Sequence, residues 1–531
     1  MYSECLPFTA IPHSTRLFTD FLYHFDRVQH FYPEPPRFPD WVRSHGPSIG
    51  TERASKVAEI LVRQNRSFGS SEQAIRNAQR LGQGSRAVVT GQQVGLFGGP
   101  AYAIYKALTA VKYAQEFTHA GVDCVPVFWM ATEDHDFAEI DHVALPAANQ
   151  IQNVQVHGSG TEGGYVGPIP LGADVGQATS ILAETVGESD LLRTLREVYQ
   201  PGATFGSAFA RLMASIFAPY GLVLMDPADP ELHALSAPIY SSAIERSAEL
   251  NRAVLQRDHE LESAGYHQQV KVTSGTAFLF ALEDGLRSPI QRNANTFYIN
   301  GKPVSSEALL ETARREPQRL TPNALLRACI QDYLLPTVLY IGGPAEVAYW
   351  AQSAPLQQQL LGRVTPIASR FSATLIEPAL QRLLKKYGMA LTDLFAGPEH
   401  TRERLASRAL PRELQSYFAD TRDDLAKQLA ALQSHLEKLD RTLVDAAKHA
   451  GSKIQYQVER LRKRAARAEL RRNEEIARHA DRLSLALYPN KDLQERVYPG
   501  AYYVARYGPD LLAGLLDQVH LECPDHQVVF L

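Results

Sequence analysis

Cysteine is scarce in this chain of 531 residues, which has only four cysteines, all isolated in sequence. No Cys-x-x-Cys pair occurs, so the sequence supports neither a zinc knuckle nor a disulfide framework, and no metal site is expected. Apolar residues make up 45% of the chain, but no run approaches the roughly 20 residues that a membrane-spanning helix needs. The net charge of −4 argues against nucleic acids and anionic membranes as partners.

The remaining composition is that of a folded protein, with 21% charged residues. The first residues lack a basic region followed by a hydrophobic one, so no secretory signal is predicted. We therefore expect a reduced, cytoplasmic protein with one large core and two or more structural units.

Two stretches of the chain share one pattern, an apolar run followed by Gly-Gly-Pro and a helical segment. They span residues 86–106 and 336–350. Each predicts a buried strand, a tight glycine turn and a helix with proline at its first position, Pro100 or Pro344. Such turns aim backbone N–H groups and a helix dipole at the crevice beyond the strand ends, where α/β sheets bind anionic ligands. The pattern favours a small-molecule enzyme.

Further apolar runs extend this pattern into an interrupted α/β fold. A parallel β-α-β unit is predicted from strand Ala87–Thr90, a helix from Ala101 to about His119, and strand Val125–Met130. Gly221–Asp226 and Leu334–Ile341 supply further strands. Insertions are expected near 145–200 and 265–305, and the second should form antiparallel hairpins from the short runs Val270–Thr273, Ala277–Phe280 and Thr296–Gly301.

The C-terminal third has the leucine spacing of a coiled coil. Its leucines alternate steps of four and three and stand at Leu425, Leu429, Leu432, Leu436, Leu439 and Leu443. A single helix over 412–485 would extend about 110 Å. We favour the alternative, a helical hairpin that turns between 443 and 452. It could serve dimerisation or intramolecular packing. The expected domains are a core at 1–384, a helical region at 385–488 and a tail at 489–531 that packs back on the core.

Four consecutive ionisable residues, Glu133, Asp134, His135 and Asp136, follow the second parallel strand. A carboxylate beside His135 could fix its tautomer and make it a general base for an amine or thiol. Alternatively, Asp134 or Asp136 caps the next helix. A metal held by His135, Glu139 and His142 is a third reading, although no specific zinc signature is present.

The two glycine loops supply the candidate binding residues. Lys106 could reach an anion or could belong to a polar helix face, and Glu346 could face the crevice or merely complement the helix dipole. Neither loop is a Walker A or Gly-x-Gly-x-x-Gly motif, so a nucleotide cofactor such as ATP stays open. With Glu133, the candidate binding residues are Thr90, Gly91, Gln92, Gln93, Gly98, Gly99, Tyr102, Lys106, Gly342, Gly343 and Glu346.

Three motifs and a short tail together resemble the bacillithiol biosynthesis cysteine-adding enzyme family. They are Thr90–Tyr102, Phe128–Phe137, Leu335–Glu346 and Leu493–Arg496. The resemblance runs nearly end to end and implies a Rossmann-like parallel sheet core with inserted segments. It also implies a C-terminal α-helical antiparallel coiled coil that forms a homodimer. The implied reaction is amide bond formation between cysteine and glucosaminyl-malate in the last step of bacillithiol biosynthesis.

Under this resemblance, Thr90, Gln92, Gln93 and the Gly98–Gly99 turn would bind substrate anions. His135, with Asp134 and Asp136, would handle the proton. Two other functions stay open. One is an adenylate-forming nucleotidyltransferase that acts on another substrate, and the other is a non-catalytic coiled-coil scaffold.

Overall fold

A computed structural model describes residues 1–33, 49–147, 149–160 and 163–531. The chain forms two compact units. The first comprises Met1–Leu145, Gln152–Ala373 and Glu495–Gln527, and the second comprises Pro146–Ile151, Thr374–Gln494 and Val528–Leu531. The domain boundaries expected at residues 384 and 488 stay a prediction. The chain passes from the first compact unit to the second after Ala373 and returns to the first after Gln494.

Both units contain strands and helices among their described residues. The strands are β1 (Tyr2–Leu6), β2 (Arg86–Gln92), β3 (Cys124–Met130), β4 (His142–Pro146), β5 (Ile151–Gln155), β6 (Val223–Met225), β7 (Thr276–Glu283), β8 (Leu286–Asn293), β9 (Thr296–Ile299), β10 (Lys302–Val304), β11 (Leu320–Pro322), β12 (Thr337–Gly342), β13 (Ile367–Ser369), β14 (Ala373–Ile376) and β15 (His526–Phe530). The described α-helices are Arg16–Tyr23, Thr51–Phe68, Glu72–Gly82, Tyr102–His119, Val175–Val186, Asp190–Val198, Phe205–Ile216, Pro230–Glu245, Ser247–Ser263, Ser306–Arg315, Ala324–Leu334, Pro344–Leu361, Pro378–Tyr387, Pro398–Ala409, Arg412–Leu439, Leu443–Arg472, Glu474–Leu487, Gln494–Val497, Gly500–Tyr507 and Asp510–Asp517.

A five-stranded parallel sheet lies at the centre of the first unit, in the order β13-β12-β2-β3-β6. Every residue of β3 and of β12 is buried, as expected for strands covered on both faces. Thr90 of β2 lies opposite Phe128 of β3. The predicted parallel α/β core is therefore confirmed.

The two Gly-Gly-Pro segments differ in where the helix begins. Pro344 is the first residue of its helix, as predicted. The prediction for Pro100 is wrong, because the first helix begins at Tyr102 and Pro100 forms a bridge with Pro499 instead. Gly98 and Gly99 have φ values of 85° and 69°, which only glycine adopts without strain, and this longer turn delays the helix.

The predicted antiparallel pairing is present in a sheet of order β10-β9-β8-β7-β11, and its interpretation as an insertion stays a prediction. The prediction of a strand at Val270–Thr273 is wrong. The Gln352 side chain accepts from the Val270 N–H at 2.9 Å and donates to the Val270 carbonyl at 2.9 Å. A side-chain amide thus replaces a neighbouring strand. β8 was not predicted, because Pro289 interrupts its pattern.

The second unit contains the predicted helical hairpin, made of Arg412–Leu439 and Leu443–Arg472. Its turn is at residues 440–442, so the predicted turn between 443 and 452 is wrong. The Asp440 carboxylate accepts from the Thr442 N–H at 2.8 Å, which is the local bond typical of an Asx turn. Gly451 faces Leu429, since a Cβ at Gly451 would lie 3.4 Å from Leu429 Cδ1. Across the described chain, no helix has the length and apolar character needed to cross a membrane.

Candidate active site

A cavity of about 670 Å³ lies at the carboxyl edge of the parallel sheet, within the first unit. Segments that follow three neighbouring strands meet there, Gln92–Gln93 after β2, Glu133–His135 after β3 and Gly343–Glu346 after β12. This edge is where open α/β sheets bind ligands. The Gln92–Gln93 bend, the ionisable segment and the second glycine turn therefore open onto one cavity.

The cavity takes in most of the candidate residues but not all of them. Its lining includes Gly91, Gln92, Gln93, Tyr102, Lys106, Glu133, Asp134, His135, Gly343 and Glu346. The lining does not include Thr90, Gly98, Gly99, Asp136 or Gly342.

The residues outside the lining have structural surroundings that explain their positions. The buried Thr90 hydroxyl donates to the Ile341 carbonyl at 2.9 Å and so joins β2 to β12. A Cβ at Gly342 would lie 2.8 Å from Ile367 Cδ1, and one at Gly98 would lie 3.4 Å from Leu212 Cδ2. These glycines allow close packing behind the cavity, whereas Asp136 is exposed.

Lys106 joins the two glycine loops. Its ammonium donates to the Gly91 carbonyl at 2.9 Å and to Gln92 Oε1 at 2.7 Å, and it lies 2.6 Å from Glu346 Oε2. An ammonium has three N–H donors, and all three are used here. Burial lowers the pKa of Lys106, although the Glu346 carboxylate opposes this effect. Lys106 therefore positions the loops and is not a free anion-binding group.

Glu346 caps the second glycine turn. Its Oε2 accepts from the Gly343 N–H at 2.7 Å, and its Oε1 accepts from the Tyr340 hydroxyl at 2.8 Å. The sequence predicted a free backbone N–H at this turn. That expectation is wrong for Gly343, because its N–H already donates to the Glu346 carboxylate.

Two arginines of the cavity have neutral hydrogen-bond partners among the described residues. Arg327 donates to the hydroxyls of Tyr349 at 3.0 Å and Tyr340 at 3.4 Å and to Gln331 Oε1 at 3.0 Å. Arg287 donates to Thr321 Oγ1, the Pro322 carbonyl and His135 Nδ1.

These arginines keep donor capacity for planar anions such as carboxylates. Arg327 lies on the helix Ala324–Leu334 that precedes β12, and the candidate residues predicted from the sequence did not include Arg287 or Arg370. Arg287 gave no signal because its strand was not predicted. Arg370 directly follows the short strand β13, and recognition of that strand would have found it.

His135 is held in one tautomer by Arg287. The guanidinium Nη1 lies 3.0 Å from His135 Nδ1, and because arginine only donates, Nδ1 accepts and the ring proton is on Nε2. Asp134 Oδ1 lies 3.3 Å from the same Nδ1 but accepts from the His135 backbone N–H at 2.7 Å. Burial alone would raise the pKa of Asp134, but the hydrogen bond from the His135 backbone N–H and the charge of Arg287 lower it. The expected fixing of the tautomer is thus performed by an arginine.

Glu133 is the buried carboxylate of the cavity. Its Oε1 lies 2.8 Å from His233 Nε2, and the side chains are 11% and 2% exposed. Burial alone would lower the pKa of His233, but the Glu133 carboxylate outweighs it and the pKa is raised. The Tyr240 hydroxyl lies 3.2 Å from His233 Nδ1. The Glu133 carboxylate thus lies beside the arginines of the cavity, against a histidine whose protonated form it favours.

The sheet, the cavity at its edge and the long helical hairpin define an α/β enzyme with a Rossmann-like core and a C-terminal coiled coil. Two family models match the chain. Residues 1–371 match "Bacillithiol biosynthesis BshC, N-terminal Rossmann-like domain" and residues 373–531 match "Bacillithiol biosynthesis BshC, C-terminal coiled-coil domain". The chain belongs to this family and is a ligase of bacillithiol biosynthesis.

Several relatives are similar over the whole chain. A protein of Koribacter versatilis named "Putative cysteine ligase BshC" is 44% identical over 100% of both chains, and one of Solibacter usitatus with the same name is 37% identical over 100% of both. A solved structure titled as a putative arginyl tRNA synthetase of Campylobacter jejuni covers 87% of this chain and 98% of that chain. Its 10% identity and TM-score of 0.22 carry no argument.

Proposed function

We propose that the cavity joins the carboxyl carbon of cysteine to the amine of glucosaminyl-malate in the last step of bacillithiol biosynthesis. The C–N bond forms as one carboxyl C–O bond breaks, and the oxygen leaves as water or, if ATP activates the carboxyl group, on the phosphate of the nucleotide. The names of the relatives support cysteine as one substrate. The observation that carries the proposal is the charge arrangement of the cavity. Arg287 and Arg327, whose described hydrogen-bond partners are neutral, share one chamber with the carboxylates of Glu133 and Asp134.

This arrangement matches the charges of the substrates. Glucosaminyl-malate carries carboxylates that suit Arg287 and Arg327. Its amine must lose a proton before it attacks an acyl carbon, and a carboxylate within reach both attracts the ammonium and favours the transfer. In our proposal Glu133 binds the ammonium and, with Asp134, takes its proton. The Nδ1 of His135 accepts from Arg287 and its Nε2 carries the ring hydrogen, so His135 acts on the reacting groups as a hydrogen-bond donor and not as the base. Asp136, which lies outside the lining, has no assigned role.

The test is amide formation by the purified protein from synthetic glucosaminyl-malate and cysteine, with and without ATP. The thiol product is labelled and measured by mass spectrometry. We expect His135→Gln and Glu133→Gln to lose product formation while their circular dichroism stays that of the wild type. His142→Gln is the matched control, because Asp141 and His142 form a similar adjacent pair, 2.9 Å between Oδ1 and Nδ1, outside the cavity.

Two outcomes would reject the proposal. Wild-type turnover in both His135→Gln and Glu133→Gln would remove the cavity from the reaction. Consumption of another amino acid in preference to cysteine would instead favour a nucleotidyltransferase with a different substrate. In cells lacking this chain, we expect glucosaminyl-malate to accumulate in the cytoplasm and bacillithiol to disappear.

We also propose that the helical hairpin forms the homodimer. Large apolar side chains remain exposed on the two helices, and Leu432, Leu439, Ile454 and Leu461 are examples at 54%, 78%, 42% and 59% exposure. An apolar row of this kind is stable in water when a second helix pair covers it. Light scattering should give a dimer for the wild type and a monomer for Leu432→Glu/Leu461→Glu. A monomeric wild type would contradict the proposal.

A further inference from the structure

Cys5 and Cys523, 518 positions apart in sequence, lie side by side in the first unit. Their sulfurs are 3.1 Å apart. Cys5 belongs to β1, and Cys523 shortly precedes β15. The Asp525 side chain lies beside the two cysteines. One possible ligand atom from each of the three side chains lies within 4.8 Å of the other two.

The chemistry of this trio is that of a thiophilic divalent cation. Two thiolates and one carboxylate are common ligands of zinc. Tetrahedral zinc with Zn–S bonds of about 2.3 Å holds two sulfurs about 3.8 Å apart. Small side-chain rotations would bring Cys5 and Cys523 from their present spacing to that value.

The neighbours of the trio resemble the outer shell of a metal site. The Tyr23 hydroxyl donates to Asp525 Oδ1 at 2.6 Å, which orients the carboxylate in the way that outer-shell donors orient metal ligands. The Gln527 amide donates to Cys523 Sγ at 3.2 Å. Cys5 is exposed and Cys523 is partly exposed, so an ion can reach both, whereas Cys124 and Cys329 are buried.

We propose that Cys5, Cys523 and Asp525 bind one zinc ion, with the fourth position taken by water. The site ties β1 to the segment before β15. It uses no residue of the cavity and does not depend on the proposed reaction. A disulfide between the two cysteines is the competing state, but it would leave the oriented carboxylate without a role.

The test uses the full chain, reduced and freed of metal with a chelator, and then titrated with zinc against a chromophoric competitor. We expect one zinc per chain in the wild type and in Cys124→Ala, and none in Cys5→Ser/Cys523→Ser. Asp525→Asn keeps both thiols and should bind zinc more weakly. Tyr23→Phe should lower the affinity about 10–100-fold, as removal of outer-shell partners does. Cobalt should give a thiolate charge-transfer band in the wild type and no such band in the double cysteine variant.

Three results would overturn the inference. One is equal zinc binding by the wild type and the double cysteine variant. The second is equal affinity of Asp525→Asn and the wild type, which would remove the carboxylate from the site. The third is a purified wild type whose mass is lower by two hydrogens because Cys5 and Cys523 form a disulfide, and which binds no metal after that disulfide is reduced. Amide formation, measured separately, tests the proposed function alone.

Discussion

Replacement of Glu495 by glutamine should unfold the first unit far more easily than its small chemical change suggests. The Glu495 and Arg370 side chains are 0% and 5% exposed, and Arg370 Nη2 lies 2.6 Å from Glu495 Oε1. The same carboxylate accepts from the Ser372 hydroxyl at 2.8 Å and from the Ala373 N–H at 2.8 Å. Glutamine would leave the Arg370 charge buried without a counter-ion and would set its own N–H donors against those of its neighbours.

We expect Glu495→Gln to lose about 3–5 kcal/mol of the free energy of unfolding, the usual cost of removing one partner from a buried pair. Urea unfolding followed by tryptophan fluorescence measures it, because Trp129 and Trp350 are buried in the first unit. The double variant Arg370→Met/Glu495→Met should lose less, since it buries no isolated charge.

The matched control is Glu52→Gln, which removes an exposed ion pair. Lys56 Nζ lies 2.7 Å from Glu52 Oε1, and the Glu52 and Lys56 side chains are 84% and 55% exposed. Its unfolding midpoint should equal that of the wild type. If Glu495→Gln also had the wild-type midpoint, the buried pair would not stabilise the unit and the reasoning would be refuted.

The pH dependence gives a second readout of the same pair. Burial alone would raise the pKa of Glu495, but Arg370 outweighs it and the pKa is lowered. The stabilisation is therefore complete above the unfolded pKa of about 4.3 and is lost as the pH falls through the folded value. The difference between wild type and Glu495→Gln should shrink below about pH 4.3.

Three further changes test other parts of the first unit. Burial lowers the pKa of His526 to about 4, so the wild type should lose stability as the pH falls from about 6.5 towards that value. His526→Gln should make the free energy of unfolding, measured by urea titration, depend less on pH. An unchanged pH dependence would contradict this expectation. Gly91→Ala would place a Cβ 2.7 Å from the Trp129 carbonyl and should cost about 1–3 kcal/mol in urea unfolding. Gly50→Ala, whose Cβ would have no atom of the described residues within 4 Å, should cost much less. Lys106→Met should lower amide formation about 10²-fold through misplaced loops, and wild-type turnover would show that the loops do not need this lysine.

The local parts of the fold were predictable from the sequence. The apolar runs of β2, β3 and β12 and the Gly-Gly-Pro turns led to the parallel sheet and to the edge where the cavity lies. Pro344 was placed correctly because proline at a first helical position is a local preference. Pro100 was not, because its bridge to Pro499 depends on a segment almost 400 positions later in the sequence.

The candidate site was predicted where its residues follow strands and missed where it depends on long-range pairing. Glu133, Asp134 and His135 were found because they follow an apolar strand. The contact between Arg287 and His135, 152 positions apart, has no local signature. The occupation of the Gly343 N–H by Glu346 shows the same limit, since spacing alone indicates a free donor or a capped one equally well.

The burial of Glu495 has a consequence for biosynthesis. A ribosome makes the chain from its N-terminus, and the parallel sheet is translated well before Glu495, the only described carboxylate paired with Arg370. Until that late stretch emerges, Arg370 lacks the carboxylate with which it forms its buried ion pair. Messages cut short before codon 495 should therefore yield products that proteases remove rapidly, even though nearly all the residues that line the cavity have been encoded.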